Sequence, residues 1–360
     1  MQRAMRAIFP FIGTLAATAC AWAQQPAPAH TQGAPIPAPR ELTLPQEATP
    51  APAYVLPNQQ KAREIAETVY NTWRLAMMRA DEQAWAGSTS AARQNKIRNM
   101  VVSERKQFPK DFFSKQPQPP QLEHFTYVGS IAGCGNRSMA CTFVGKLQLG
   151  EKGKLAENAM VVELIFEGGK WKLDQTRFFN LSQLPDVKKR LHARDLSVLQ
   201  EQDGFHPYDK LPAIPPRCGA PQLIGKVFVD APGREIEMRI NGVSMHEFYD
   251  ERRADTIAGG LRRGQNTISY TIKDNAGMQR PTLGIGLFVM PETPGNHPVC
   301  VFDHILDAKD AAKGGTFTFT VSNEQIASMN PKFQRAKPEP FHVVPLKPKP
   351  QPKPEQPKGK

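Results

Sequence analysis

The 360-residue chain is predicted to be α+β: a helix-covered, curved antiparallel sheet of cone shape, followed by an all-β sandwich, with proline-rich segments at both ends. Three observations carry this prediction. Between Asn58 and Ser182 an amphipathic helix precedes a shorter helical region and a patterned β-meander. From Gln222 onward, six short apolar runs alternate with turn residues. Between the two lies a proline-rich break at Phe205 to Arg217. Domains are therefore expected at 58–183 and 218–330, joined by a helix and proline-rich linker at 184–217.

The chain opens with the pattern of a secretory signal. Arg3 and Arg6 precede an apolar run from Ile8 to Ala19, and Ala21-Trp22-Ala23 forms a small-residue cleavage site before Gln24. The run is too short, and too rich in Ala, Gly and Thr, for a membrane span, so the mature chain is expected to be exported without a transmembrane segment. The alternative is a lipoprotein cut before Cys20, disfavoured because Ala17 stands where a larger aliphatic residue is preferred. Gln24 to Pro57 follows as a Pro/Ala-rich spacer with nine prolines.

In the first domain, Ala62, Ile65, Ala66, Val69, Tyr70, Trp73, Ala76 and Met77 recur at helical spacing and predict one buried face. A second helix is expected near Ser90 to Gln107. The meander closes with Val161 to Phe166, the turn Glu167-Gly168-Gly169-Lys170, and Trp171 to Phe179. The paired glycines supply the positive φ that a tight hairpin requires.

The Trp73 helix, the helix near Ser90 and the hairpin ending in Gly169-Lys170-Trp171-Lys172-Leu173 together resemble the nuclear transport factor 2-like superfamily, the cystatin-like α+β cones, over about a third of the chain. The resemblance implies a concave sheet face that can form a pocket. In that superfamily the cone serves isomerases and dehydratases as well as binding and assembly modules, so fold analogy does not choose between them.

Beyond the linker, strands are expected at Gln222 to Val229, Glu235 to Ile240, Asn266 to Ile272, Thr282 to Met290, Pro298 to Phe302 and Thr316 to Val321. The stretch Leu261-Arg262-Arg263-Gly264-Gln265-Asn266-Thr267-Ile268 looks like the L-x-x-G-x-N-x-I turn-and-strand of jelly-roll and immunoglobulin-like accessory domains. There Gly and Asn shape the turn, and Ile268, Tyr270 and Ile272 enter the core.

Formal charge is +12, and loss of Arg3 and Arg6 with the signal leaves +10. Pro331 to Lys360 carries +6 of this together with nine prolines, predicting a disordered, extended Lys/Pro-rich tail. Its spaced lysines suit an anionic envelope polymer. Nucleic acid fits poorly, since the lysine-dense end of the tail, Lys347 to Lys360, has no interleaved stacking aromatics.

Candidate sites are few. Export favours disulfides, and the pairs Cys134 with Cys141 and Cys218 with Cys300 each stay within a domain. A pocket is expected from Trp73, Phe125, Tyr127, Glu163, Trp171 and Arg177, although aromatics at these positions more often fill a core. Acid–base candidates are Glu163, Asp174, His124 and Tyr127, with Arg177 beside them, but they match no constellation of a known cone enzyme. His297, Cys300, Asp303 and His304 have metal-like side chains, yet alternation turns His297 and Cys300 to opposite strand faces. No phosphate loop, G-x-S-x-G elbow or H-E-x-x-H helix is present. No catalytic residue, metal or cofactor is assigned. The expected role is binding or assembly at the cell envelope, with an envelope protein or glycan as partner. The alternatives are an isomerase or dehydratase using the cone pocket, and a glycan binder using the sandwich.

Overall fold

The structure, a computed structural model, describes residues 58–114, 116–148, 155–201, 205, 207, 210–249, 251–274, 282–306 and 314–330. The expected signal, N-terminal spacer and Lys/Pro-rich tail lie outside the described residues. Within these, the chain is α+β, with seven α-helices and three four-stranded antiparallel sheets, none closed into a barrel.

Helix α1 (Gln59–Arg79) starts at Asn58, whose side chain accepts from the Lys61 N–H, and ends at Ala80 in the left-handed region. Ala62, Ala66, Tyr70, Trp73, Ala76 and Met77 are buried, as the spacing predicts. Then follow α2 (Glu82–Ser88), α3 (Ala91–Ser103) and α4 (Lys110–Ser114). The first sheet is a meander in sequence order: β1 (Phe125–Gly133), β2 (Ser138–Gln148), β3 (Leu155–Glu167) and β4 (Lys170–Asn180). Gly168 and Gly169 take φ of 59° and 77° at the β3–β4 turn, the conformation their pairing predicts. Register shifts at Tyr127/Gly129 and Glu163/Leu164 are β-bulges, which bend and twist strands.

The sheet is covered on both faces. Met139, Phe143, Met160, Val162, Leu164 and Leu173 pack with Trp73, Trp85 and Phe112 from the first helices. On the reverse face, Ala140, Ala159, Val161 and Phe179 pack with residues of α5 (Pro185–His192), α6 (Ser197–Glu201) and Phe205. The single helix expected at the start of the 184–217 segment is thus two short ones. Arg194 breaks it in the left-handed region (φ 56°), while Asp195 accepts from Ser197.

The sandwich stacks two sheets. One orders β11 (Val299–Leu306), β10 (Leu283–Val289), β5 (Gly225–Asp230) and β8 (Arg252–Thr256). The other orders β12 (Gly314–Val321), β9 (Gly264–Asp274), β6 (Arg234–Ile240) and β7 (Ser244–Tyr249). Helix α7 (Asn323–Ala327) closes the described chain with a Ser322 capping box. One core unites the sheets, including Ile268, Tyr270 and Ile272. Gly264 has φ 80°, and the Asn266 side chain bonds the Arg262 N–H and carbonyl and the Gly264 carbonyl, so the expected turn is formed. Strands β7 and β8 were not expected. Ser244–Tyr249 alternates cleanly but carries His246 and Glu247, and β8 is mostly charged, so neither gives an apolar run.

Candidate functional site

The six residues expected to share one pocket are divided by the first sheet. Trp73, Phe125, Tyr127 and Trp171 belong to the core beneath α1 to α4. Glu163 lies opposite Ala140 and Gln175, on the face that packs against α5 and α6. Alternation along β3 puts Glu163 on the face of Val161, and for Arg177 the cause is a bulge on β4. Glu163 pairs with Gln175 and Leu164 with Leu173, leaving Asp174 as an extra residue. Alternation along Trp171, Leu173, Gln175 and Arg177 therefore reverses at Asp174, and the last two residues cross to the Glu163 face.

Glu163 is fully buried and is held by Arg177 Nη2 at 3.0 Å and Gln175 Nε2 at 2.9 Å. A buried carboxylate with a paired guanidinium satisfies its charge internally, which is the usual condition for keeping such a group inside a core. Asp174 is also buried and accepts a hydrogen bond from the Ser90 hydroxyl, which caps α3. Burial pushes the Asp174 carboxyl above its ordinary value, against the opposing pull of the Ser90 hydrogen bond and of Arg93 and Lys96. Tyr127 donates to Gln59 Oε1 at 2.7 Å, and burial raises its phenol to about 12. His124 is exposed at the start of β1. The acid–base candidates are thus dispersed, and each buried one closes a packing contact.

The four described cysteines, Cys134, Cys141, Cys218 and Cys300, are free, where two bridges were expected. Cys134 sits in the β1–β2 turn at φ 51°, whereas Cys141 lies opposite Ser130, several pairs along the ladder, and is fully buried. Burial raises the Cys141 thiol well above its ordinary value. Cys218 packs against α3, with its Sγ 3.6 Å from Ser103 Oγ, while Cys300 lies on β11 with its Sγ toward the Phe302 carbonyl at 3.2 Å. His297 precedes β11, its N–H bonded to the Met329 carbonyl. Among the described residues no three metal-ligating side chains come together.

Two polar constellations escape the sequence reading. The first joins α3 to the proline-rich segment and the sandwich. Asn99 of α3, buried to 2 % exposure, donates from Nδ2 to the Pro216 carbonyl at 2.8 Å and accepts the Cys218 N–H at 3.0 Å. Asn95 donates to the Pro215 carbonyl, and Arg98 to the Cys218 carbonyl at 2.8 Å. Fully buried Ser103 accepts the Gly259 N–H at 2.8 Å. Arg105, placed by a left-handed φ of 55° after the helix, donates to the Pro221 and Gln222 carbonyls and pairs with Glu292 at 2.6 Å. The proline-rich segment is accordingly fastened to α3 by its own backbone. Prolines suit this because they leave carbonyls with no ladder partner to offer.

The second lies at one side of the sandwich. Ser244 Oγ is 2.7 Å from His246 Nε2, and His246 Nδ1 is 3.4 Å from Asp255 Oδ2. With the proton on Nδ1, this is the order of a serine–histidine–aspartate relay. Ser244, however, is 1 % exposed, and its Oγ already accepts the Ala258 N–H at 2.8 Å. Arg253 completes the group, bonding Asp255 and the Glu247 carbonyl and lying over the Phe248 ring at 5.0 Å. Burial alone raises the Asp255 carboxyl, but the His246 hydrogen bond and the Arg253 charge outweigh it and hold it below its ordinary value. The group ties β7 to β8 across the two sheets. Ser244 and His246 sit two apart on one strand face, a pattern visible in the sequence, but Asp255 is brought to them only by stacking of the sheets.

A shallow hollow of about 470 Å³ is lined by Leu181, Ser182, Pro185, Lys188, Lys189 and His192. Glu157 pairs with both Lys188 (2.8 Å) and His192 (2.7 Å) beside it, neutralising much of its basic character. Among the described residues no helix is long and apolar enough to cross a membrane. Comparison of the chain with protein-family models, with curated proteins and with solved structures found no match.

Proposed function

We propose that this chain is an exported binding or assembly protein of the cell envelope, with a nuclear transport factor 2-like cone as its first domain. The observation that carries the reading is the polar clasp of α3 and Arg105 on residues 215–222 and Gly259. Asn95, Arg98, Asn99 and Ser103 on α3, with Arg105 just after it, commit one side of this helix to the proline-rich linker and the segment that follows it. Two domains fixed in this way present their surfaces at a set spacing, which is the property an assembly module requires. The buried carboxylates Glu163 and Asp174 are engaged in contacts that support packing. The lysines after Asn330 supply the attraction to an anionic envelope polymer, acting through a Coulomb range of about 8 Å at physiological salt.

The test is cosedimentation of the full chain with a purified anionic envelope polymer across a salt series. Binding that weakens steeply with salt, and that is carried by Pro331 to Lys360, supports the reading. Turnover of an isomerase or dehydratase substrate that is abolished by Asp174→Asn, with the fold intact, would replace it with the enzyme alternative.

A further inference from the structure

We infer that β12 is a self-pairing edge, through which two copies of this chain join their β12–β9–β6–β7 sheets into one continuous antiparallel sheet. An edge strand presents unpaired backbone N–H and C=O groups, and folded proteins blunt such edges with charges, prolines, bulges or covering elements. Each other sheet edge among the described residues carries such a device. β1 has the Tyr127/Gly129 bulge, and β4 has Lys170 and Lys172 and a bridge from Thr89 to Leu173. β7 has Glu247, β8 has Arg252, Arg253 and Asp255, and β11 has Asp303 and a register shift against β10.

Among the described residues, β12 has none of these. Gly314–Val321 pairs with β9 without a register shift from Gly314↔Thr271 to Val321↔Gly264, and it holds no charged residue and no proline. Its outward face is a row of exposed threonines, Thr316, Thr318 and Thr320, and its inward Phe317 and Phe319 are only half-buried. Those rings form a cluster with Phe302 and His304 of β11 at the same side of the sandwich, with Phe302 5.3 Å from Phe319 and His304 4.7 Å from Phe317. The core is thus left partly open along this edge.

The occupant follows from the sequence of the strand. Thr316-Phe317-Thr318-Phe319-Thr320 reads the same in both directions. A two-fold axis at Thr318 sets Thr318 against its own copy, Thr316 against Thr320, and Phe317 against Phe319. Threonine pairs and aromatic pairs are both favourable across antiparallel strands, and no like charges meet. An interface built from one patch on both subunits has to be self-complementary, and this strand is. The second copy also brings its own Phe302, Phe317 and Phe319 beside the first, covering the open side of both cores.

The experiment is sedimentation velocity on the purified full chain, from low to high micromolar concentration, with amide hydrogen exchange on the same samples. The dimer needs no envelope component, so this result is independent of polymer binding. Wild-type protein is expected to double in mass as concentration rises, with slowed exchange at the β12 amides. Thr318→Lys sets two ammonium groups opposite each other at the axis and should weaken the dimer at least tenfold. Thr318→Val should keep it. Thr318 is exposed, so both variants retain the monomer fold, which circular dichroism checks. A chain that stays monomeric overturns the inference, including one whose β12 amides are protected by another segment or ligand. So does a dimer indifferent to Thr318→Lys.

Discussion

Replacing Asn99 by alanine should uncouple the two domains. The side chain makes two hydrogen bonds, from Nδ2 to the Pro216 carbonyl and from the Cys218 N–H to Oδ1, at 2.8 and 3.0 Å. Alanine leaves that carbonyl and that amide without partners. A buried group so orphaned costs about 1 to 3 kcal/mol, giving about 2 to 6 kcal/mol for the pair. Because the segment is only partly buried, water reaches it, and the expected loss lies in the lower half of that range. Against a typical total of about 5 to 15 kcal/mol, this is enough to separate the sandwich from α3 before either domain unfolds. The assay is urea unfolding followed by tryptophan fluorescence, which reports the first domain, alongside limited proteolysis at Pro212 to Arg217. Wild type should unfold in one transition and resist cleavage there, whereas Asn99→Ala should show two transitions and early cleavage. Asn99→Asp keeps the acceptor for Cys218 but not the donor to Pro216, and should fall between. A variant within about 0.5 kcal/mol of wild type, with one transition and an uncut linker, refutes the clasp as the coupling element.

Glu163→Gln removes the charge facing Arg177 and should destabilise the first domain by about 3 to 5 kcal/mol, measured by denaturant unfolding. Pairing Glu163→Leu with Arg177→Met should recover most of that loss, and a single variant as stable as wild type contradicts the buried pairing. Asp174 and Asp255 should give opposite pH slopes. The folded Asp174 carboxyl lies above its ordinary 3.8, so its charged form opposes folding and stability falls as pH rises from about that value through the folded one. Subtracting the Asp174→Asn profile from wild type isolates that fall. The folded Asp255 carboxyl lies below 3.8, so its contribution is present above that value and lost as pH drops through the folded one. Asp255→Asn should therefore cost stability at neutral pH and flatten the acid limb. Deleting Pro331 to Lys360 should leave the thermal midpoint unchanged and remove most polymer binding, as a binding isotherm at low salt will report.

Elements that rest on local pattern were legible in the chain. The α1 face from Ala62 to Met77, the Gly168-Gly169 hairpin and the Asn266 turn are each specified by residues close in the chain, whose spacing or φ requirement leaves one conformation. The sandwich strands with apolar alternation were legible for the same reason, whereas β7 and β8 were hidden by the charges they expose. Tertiary structure alone decided which residues meet. One extra residue at Asp174 reverses the side-chain alternation of β4, so Arg177 parts from Trp171 although their spacing implies a shared face. The partners of α3 lie more than a hundred residues away, on backbone carbonyls that no side-chain pattern marks. A bulge and a long-range hydrogen bond are settled by the balance of packing over the whole fold, and a local window of sequence does not contain that balance.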